Sequence, residues 1–289
     1  MKTDNIDGVI IINKPKGYTS HDVVNVVRKK LNTKKIGHTG TLDPNATGVL
    51  PILIGNATKV SKYLVEHDKE YIATLKLGIK TDTLDSEGKV IQEDNNIKIY
   101  SEEEIKQILR NFLGKQKQIP PMYSSIKVNG KKLYEYAREG KKIEVKPRQI
   151  EIYNISLISY NKKDEISFKV SCSKGTYIRT LCEDIAKKLE AIGYMKELER
   201  ISVDNFKIED SISLEEIESI NIVDKIISIE EIFMDKQKID LNDRKLELFL
   251  NGVQLTHEMS NGLYRIYNHD IFIGLGIIKN NLLKRDVVI

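Results

Sequence analysis

Several residue types and motifs are scarce in this 289-residue chain, and each absence excludes a class of protein. The two cysteines, Cys172 and Cys182, have no CxxC pairing and no histidine at metal spacing nearby. The five histidines are scattered singly, so we expect reduced thiols and no protein-bound metal ion. The glycines form neither a phosphate-binding GxxxxGK loop nor a complete GxGxxG motif, so we expect no nucleotide cofactor.

Long apolar runs are also missing. The runs at 49–54 and 271–278 are far shorter than the roughly 20 residues that span a bilayer. The polar start, Met1 to Asp7, is unlike a signal peptide, so we expect a cytoplasmic protein. Charged residues make up 30% of the chain and apolar residues 40%, which is typical of a globular protein with a proper core. The net charge of +4 permits RNA binding without establishing it.

Strand-like alternation and helical spacing are interleaved along the chain, which predicts both element types in one domain. The predicted elements are a strand at 8–12, a helix capped by Thr19 or Ser20, a strand at 70–77, a helix opened by the capping box Ser101 to Glu104, an antiparallel pair of strands at 150–160 and 165–172, and a helix after Gly175 that stops at Gly193. A strand-rich tail follows from about residue 240. We therefore predict a catalytic domain at 1–235 and a small second domain at 236–289.

The stretch from Gly37 to Pro51 is too irregular for a strand or a helix, and it ends in the apolar run 52–54. It places one carboxylate, Asp43, among glycines and hydroxyls, and such a loop lets a substrate backbone approach closely. Asp43 also precedes Pro44, and a turn in which the carboxylate bonds to its own backbone explains the pair equally well. The residues alone leave both interpretations open.

The loop from Gly37 to Gly48 resembles the signature of the TruB-type pseudouridine synthases, which act on uridine 55 of tRNA. Further matching segments cover residues from about 8 to 206 in family order: 8–9 with 13–20, 69–71, 77–78 with 81–85, 120–125, 133–140 and 175–181. Asn13 departs from the family, where many relatives have Asp. The resemblance implies an α+β fold whose pseudouridine synthase catalytic domain has a mixed, largely antiparallel central sheet, followed by a small β-rich C-terminal domain of the PUA type.

The family reaction detaches a uracil, turns it and rejoins it through C5, which requires no redox or metal chemistry. Asp43 matches the essential carboxylate, which attacks the ribose or abstracts a proton. Arg179 matches the arginine that would lower the pKa of Asp43, and its place in the first turn of a helix disfavours a merely structural cation. Tyr71 matches the tyrosine that stacks on the flipped base and is placed to take the C5 proton. A cross-strand aromatic pair is the structural alternative for Tyr71.

Other positions match the substrate-binding part of the family site. Tyr177 and Leu198 correspond to the walls of the uracil pocket, and His38 corresponds to the histidine that inserts near the flipped nucleotides. The segment at about 115–146 mixes tyrosines with cations and has few nearby acids, which predicts an RNA-gripping insertion rather than a solvated helix. The predicted RNA contacts are Lys14, Lys127, Lys131, Lys132 and Arg138.

Three other functions compete with this prediction. A guide-RNA-dependent relative shares the catalytic loop but usually carries basic extensions that this chain lacks. A non-catalytic tRNA-binding or tRNA-folding protein would be favoured if Asp43, Tyr71 or Arg179 were replaced, and all three are present. A nucleoside hydrolase needs a second acid, and nothing in the spacing ties Asp82 or Asp85 to the loop. We expect a monomer that modifies the T arm of tRNA without a cofactor or a protein partner.

Overall fold

The computed structural model describes residues 6–65 and 67–289, so residues 1–5 of the polar start lie outside it. The strands are β1 (Gly8–Lys14), β2 (Ile36–His38), β3 (Thr47–Ile54), β4 (Lys69–Leu77), β5 (Ile79–Thr81), β6 (Val90–Glu93), β7 (Gly114–Gln118), β8 (Lys127–Val128), β9 (Lys131–Lys132), β10 (Arg148–Tyr160), β11 (Glu165–Cys172), β12 (Gly193–Val203), β13 (Phe206–Lys207), β14 (Lys238–Asp240), β15 (Leu255–Thr256), β16 (Gly262–Asn268), β17 (Ile271–Lys279) and β18 (Leu282–Val288). The α-helices are α1 (Ser20–Leu31), α2 (Ser61–Leu64), α3 (Glu102–Arg110), α4 (Leu133–Arg138), α5 (Ile178–Lys188), α6 (Glu216–Ser219), α7 (Ile229–Ile232) and α8 (Asp243–Leu250).

The larger sheet is mixed and largely antiparallel. Its strands follow the order β1-β3-β12-β4-β11-β10-β7, with β2 added to β3 and β13 added to β12. The β3 and β12 pair is parallel, and the other pairs in this sheet are antiparallel. Together with the separate β-rich carboxyl-terminal part, this sheet confirms the predicted α+β fold.

Helices cover the sheet where apolar residues recur at helical spacing. Helix α1 begins at the Thr19 capping box and buries Val23, Val24 and Val27 against β1 and β3. The Ser101 capping box opens α3, which packs with α5 on β4, β10, β11 and β12 around Phe168. The same face buries both free cysteines. The predicted amino-terminal caps, the helices and the antiparallel hairpin are therefore confirmed.

Three segments differ from the predictions. The irregular stretch is shorter at both ends, because Gly37 and His38 belong to β2 and Thr47–Pro51 belongs to β3. Gly193 does not cap α5: the left-handed residue is Glu190, at φ 52°, and Gly193 begins β12. A Cβ at Gly193 would lie 2.8 Å from the Lys76 carbonyl oxygen, so close strand packing explains this glycine. Residues 114–118 pair with β10, so the segment outside the sheet starts only after Gln118.

The carboxyl-terminal part forms a separate five-stranded sheet in the order β14-β16-β17-β18-β15. Its own core surrounds Phe249 and Ile266, whereas Leu275 and Val287 pack into a cluster with Val9 and Phe233 of the larger part. The Tyr63 hydroxyl also donates to Asp286 at 2.6 Å. The two sheets thus share apolar contacts, while the domain limit at 236 and the PUA-type assignment stay predictions.

Gly48 is required where β3 meets β12, directly after the irregular loop. Its φ is 104°, and a Cβ there would lie 2.2 Å from the Arg200 carbonyl oxygen. We expect Gly48→Ala to lower the free energy of unfolding by roughly 2–4 kcal/mol, because backbone strain and overlap act together. Urea unfolding measures the loss. Gly37→Ala is the matched control, since a Cβ there meets nothing within 4 Å, and equal losses in both variants would contradict the assignment.

Candidate active site

The loop between β2 and β3 is fixed by contacts from the first strand and helix. The Ser20 hydroxyl accepts from the Leu42 amide at 2.9 Å, and the Gly17 amide donates to the Pro44 carbonyl at 2.9 Å. The Ala46 amide donates to the Asp43 carbonyl at 3.0 Å, which closes a turn. This turn uses the backbone of Asp43 and leaves its carboxylate to make other contacts.

The Asp43 carboxylate faces Arg179. The distance from Arg179 Nε to Asp43 Oδ2 is 3.1 Å, and the arginine side chain is 7% exposed while the aspartate side chain is 39% exposed. Arg179 also donates to the Tyr123 carbonyl at 2.8 Å and to the Thr83 carbonyl at 3.1 Å. A buried guanidinium with these fixed acceptors holds one edge of the carboxylate, so the other oxygen can face a substrate.

Asp85 is a second carboxylate at the same arginine. Its Oδ2 lies 3.4 Å from Arg179 Nη1, and its Oδ1 accepts from the Thr83 hydroxyl at 2.5 Å and from the Glu87 amide at 3.1 Å. Spacing along the chain indicated no link between Asp85 and Asp43. The link is tertiary, because α5 brings Arg179 to the turn between β5 and β6.

Burial raises the pKa of Asp43 above its ordinary value, and the Asp85 carboxylate adds to the rise. Arg179 and Lys14 act in the opposite direction but do not reverse it. The predicted contact with Arg179 is present and Arg179 does lower the pKa of Asp43, but burial and Asp85 leave the pKa raised on balance. Desolvation, together with repulsion from the Asp85 carboxylate, outweighs the attraction of Arg179.

Tyr71 lies on β4 directly opposite Arg200 of β12. Both side chains are buried, and the Arg200 guanidinium lies beside the Tyr71 hydroxyl, whose pKa its charge lowers. Arg200 also donates to the Val49 carbonyl at 2.8 Å and to the Gly40 carbonyl at 3.2 Å, which ties β12 to the loop. Burial raises the pKa of Tyr71 to about 12, so its neutral phenol predominates at neutral pH.

Two adjoining cavities meet at Asp43. The smaller one measures about 190 Å³, and the larger one about 560 Å³. Asp43, Thr41, Tyr177 and Arg179 line both of them. Tyr71 and Leu198 line the smaller cavity, so five of the six predicted catalytic and substrate-binding residues surround it. A cavity of this size accommodates a single flat base, with the carboxylate at its mouth.

Gln118 is a positioning residue that the sequence did not indicate. Its side chain accepts from the Tyr177 amide at 2.8 Å and donates to the Tyr177 carbonyl at 3.0 Å. Tyr177 stands immediately before α5, where its own side chain provides no cap. This pair of bonds fixes the backbone that carries both Tyr177 and Arg179.

His38 and Lys14 lie elsewhere. Within the described ranges 6–65 and 67–289, neither cavity wall includes His38, whose pKa is lowered by burial and by nearby Arg200. Lys14 is fully buried, and its ammonium donates to the Pro15, Tyr18 and Pro44 carbonyls at 2.6–3.0 Å. Burial lowers the pKa of Lys14 to about 8. Its predicted RNA contact is therefore replaced by an anchor for the loop.

The segment from 119 to 147 stands beside the larger cavity. Arg138 and Tyr134 of α4 line that cavity, and the ammonium groups of Lys131 and Lys132 lie over the rings of Tyr136 and Tyr134. The β8–β9 hairpin carries Lys127, Lys131 and Lys132. Lys131 also forms an ion pair with Glu139, so the prediction of few pairing acids is wrong for this lysine.

Metal-binding clusters and long apolar helices are both missing from the described part of the chain. Over residues 6–65 and 67–289, no group of three or more His, Cys, Asp or Glu side chains is arranged to hold a metal ion. Within the same residues, no helix has the length and hydropathy needed to cross a membrane.

Solved structures and relatives match this fold over almost the whole chain. A Cbf5–Nop10–Gar1 complex contains a chain that is 27% identical, with a TM-score of 0.69 over 98% of this chain and 83% of that one. An H/ACA RNP bound to a substrate RNA containing 2'-deoxyuridine matches at 25% identity, with a TM-score of 0.69 over 98% and 85%. The relative named tRNA pseudouridine synthase B from Caldanaerobacter subterraneus subsp. tengcongensis is 44% identical over 96% of this chain and 98% of its own. The protein of that name from Clostridium tetani is 46% identical over 94% and 95%.

Family models match adjacent parts of the chain. The model of the amino-terminal domain of TruB family pseudouridylate synthases matches residues 28–178, and the model of the tRNA pseudouridine synthase B carboxyl-terminal domain matches residues 179–234. The fold and these matches define a pseudouridylate synthase, which is an isomerase. Within that class, the chain belongs to the TruB family. The resemblance found in the sequence is confirmed.

The raised pKa of Asp43 predicts how the activity depends on pH. If the ionised carboxylate is the active form, activity is lost as the pH falls through a pKa above the ordinary aspartate value of about 3.9. We expect Asp85→Asn to move the acid limb of kcat/KM to lower pH, because it removes an anion that raises this pKa and frees Arg179 for Asp43. Single-turnover rates between about pH 4.5 and 7.5 measure the limb. An unmoved limb, or one moved to higher pH, would contradict this electrostatic account.

Proposed function

We propose that this protein isomerises uridine 55 in the T arm of tRNA to pseudouridine, with Asp43 as the essential carboxylate. The observation that carries the proposal is the Asp43 carboxylate, held by Arg179 at the mouth of a cavity the size of one base. The tRNA substrate is supported by relatives at 44–46% identity that are named tRNA pseudouridine synthase B.

The flipped uridine enters through the larger cavity. Extruding it from the RNA costs a few kcal/mol, which contacts in the pocket must offset. Leu198 and Tyr177 supply an apolar wall and a planar ring, and Tyr71 packs against the base. Asp43 then attacks C1' of the ribose or removes the C2' proton, and either route releases the base for rotation.

Tyr71 has two possible roles once the base has turned. Taking the C5 proton requires the phenolate, which the Arg200 guanidinium favours but which burial makes scarce. Donating a hydrogen bond to a uracil carbonyl requires only the neutral phenol, the predominant form at a pKa of about 12. We therefore propose that Tyr71 holds the base throughout the reaction as a neutral phenol. It takes the C5 proton only when it is in its minor ionised form.

The competing proposal is a guide-RNA-dependent synthase, because two solved structures that match this fold are an H/ACA RNP and an archaeal box H/ACA sRNP complex. A standalone enzyme is better supported, since relatives at 44–46% identity carry the tRNA enzyme's name over 95–98% of their length. We accordingly propose that the protein acts as a monomer and needs neither a guide RNA nor a protein partner.

Mapping the product on full-length tRNA tests the proposal. Purified protein is incubated with unmodified tRNA alone, and pseudouridine is located by chemical derivatisation and primer extension. Pseudouridine at position 55 supports the proposed function. Product at another position, or product formed only when a guide RNA is added, would overturn it.

Basic residues beside the larger cavity are proposed to contact tRNA phosphates. Replacing Lys131 and Lys132 by alanine should flatten the dependence of log affinity on log salt by about 0.7–0.9 for each phosphate that the variant no longer binds. Lys131 can bind a phosphate only after it leaves its ion pair with Glu139. Most of the change in salt dependence should therefore come from Lys132. Lys163→Ala, in the turn between β10 and β11, is the matched control. An unchanged slope in the double variant removes this segment from the RNA interface.

A further inference from the structure

The smaller cavity is bordered by two cations that the reaction has not yet used. Arg200 of β12 and Lys69 of β4 line it together with Asp43 and Tyr71. Arg200 is 1% exposed, its guanidinium donates to the carbonyls of Gly40 and Val49, and it lies opposite Tyr71. Lys69 donates to the His67 carbonyl at 2.5 Å. Among the described residues, neither cation has a carboxylate within ion-pair distance.

Among the described residues, the charges around the cavity do not pair off evenly. Arg179 is matched by the carboxylates of Asp43 and Asp85, whereas no described carboxylate forms an ion pair with Arg200, and Asp68 attracts Lys69 only from beyond ion-pair distance. Burial lowers the pKa values of both groups, so each charge is held against a desolvation cost. A neutral flipped base attracts the two cations only weakly and offsets little of that desolvation cost. An anion in the cavity offsets it, because opposite charges attract strongly where water is excluded.

We propose that Lys69 and Arg200 form a cationic site that stabilises the uracil anion as it leaves the ribose. This inference rests on the proposed function. When the C1'–N1 bond breaks, both electrons stay on N1, and the negative charge spreads to O2 and O4. The ribose either forms a C1'–O bond to Asp43 or gives its C2' proton to Asp43. Both routes release the same anion, so the cationic site serves either one.

The two residues act at different distances. Lys69 faces the cavity and contacts the base directly, whereas Arg200 is a positioning residue that acts through Tyr71. Because the Arg200 charge stands opposite Tyr71 and lowers the pKa of its hydroxyl, it makes that hydroxyl a stronger donor to a uracil carbonyl. Both effects strengthen as the base becomes anionic, so they favour bond cleavage more than substrate binding. The charge is lost again when C5 bonds to C1' and releases its proton.

A change of leaving group tests the cationic site. We compare wild type, Lys69→Gln, Arg200→Gln and Arg200→Lys on T-arm stem-loop RNA that carries uridine or 5-fluorouridine at the target position. Fluorine withdraws electrons, so 5-fluorouracil is the better leaving anion and needs less stabilisation. Single-turnover loss of the N-glycoside is followed by nucleoside chromatography, and RNA affinity is measured in parallel over a range of salt.

With uridine, each glutamine variant should lose about 10²-fold or more in cleavage rate. With 5-fluorouridine, the loss should shrink to less than ~10-fold, while Arg200→Lys should retain more activity than Arg200→Gln because it keeps the charge. Leu198→Ala is the control for simple damage to the cavity, and it should slow both substrates equally.

Equal losses on both substrates in the glutamine variants would overturn the cationic site. If the rate losses are equal and the dependence of log RNA affinity on log salt is also weaker for Lys69→Gln, then Lys69 binds a substrate phosphate. That result also overturns the cationic site. If Arg200→Gln does not fold, the rate losses of Lys69→Gln and Arg200→Lys on uridine and on 5-fluorouridine are compared instead, and equal losses overturn the cationic site. A wild-type protein that turns over neither RNA would reject the proposed function itself, a result distinct from active wild type with equal losses.

Discussion

Replacing Asp43 by asparagine should abolish pseudouridine formation, with a loss of at least about 10³-fold in turnover and tRNA affinity within about threefold of wild type. An amide cannot attack the ribose or remove its proton, whereas its size and polarity preserve the contacts of the loop. The turn is made by the backbone of Asp43, so asparagine should keep it. Single-turnover assays and filter binding on the same tRNA measure the two effects.

Stability provides the control for this variant. The pKa of Asp43 is raised in the fold, so its ionised form opposes folding at neutral pH. This cost begins to fall at the folded pKa and is gone below the lower pKa of the unfolded chain. Asp43→Asn should therefore be no less stable than wild type at pH 7. Asp235→Asn, an exposed aspartate outside both cavities, should leave turnover unchanged. A large loss of tRNA binding, or a lowered melting temperature, would show that Asp43 is a structural residue of the turn.

Replacing Arg179 by lysine should lower turnover by about 10²–10³-fold, although the positive charge is kept. Arg179 reaches Asp43, Asp85 and two backbone carbonyls from different nitrogens, and a single ammonium cannot occupy all of those positions. The Asp43 carboxylate would then lose its fixed orientation. Because tRNA is bound over a much wider surface, KM should change far less than kcat.

Arg28→Lys is the matched control, since Arg28 is partly exposed on α1 and its side chain bonds only to Asn25 among its described neighbours. It should be indistinguishable from wild type. If Arg179→Lys retained more than about a fifth of wild-type turnover, charge alone would suffice at this position. The proposed orienting role of Arg179 would then be wrong.

Local signals in the sequence predicted much of this architecture. Alternation identified β4 and the β10–β11 hairpin, a capping residue located the start of α1, and a capping box located the start of α3. These features depend on residues close together in the chain, so periodicity and capping chemistry are enough to find them. The family resemblance added the set of residues around the smaller cavity, which the chemistry of Asp43-Pro44 alone left undecided.

Features that depend on distant contacts were missed. Gly193 looked like a helix cap, but its lack of a side chain serves strand packing against Lys76. Lys14 looked like an RNA contact, but three backbone carbonyls of the folded loop surround its ammonium. Asp85 and Gln118 gave no signal, because their partners at Arg179 and Tyr177 lie at least 59 residues away in the chain. Such roles arise only after the sheet brings the segments together.

Tritium release from tRNA labelled at uracil C5 tests whether the protein isomerises the T-arm uridine and whether Asp43 is required. The assay compares wild type with Asp43→Asn, each on tRNA with the T-arm uridine and on tRNA in which that uridine is replaced. The account predicts release only from wild type and only when the T-arm uridine is present, since C5 loses its hydrogen when it bonds to the ribose. Tight tRNA binding by wild type without any release would contradict the account and indicate a tRNA-binding protein without catalysis.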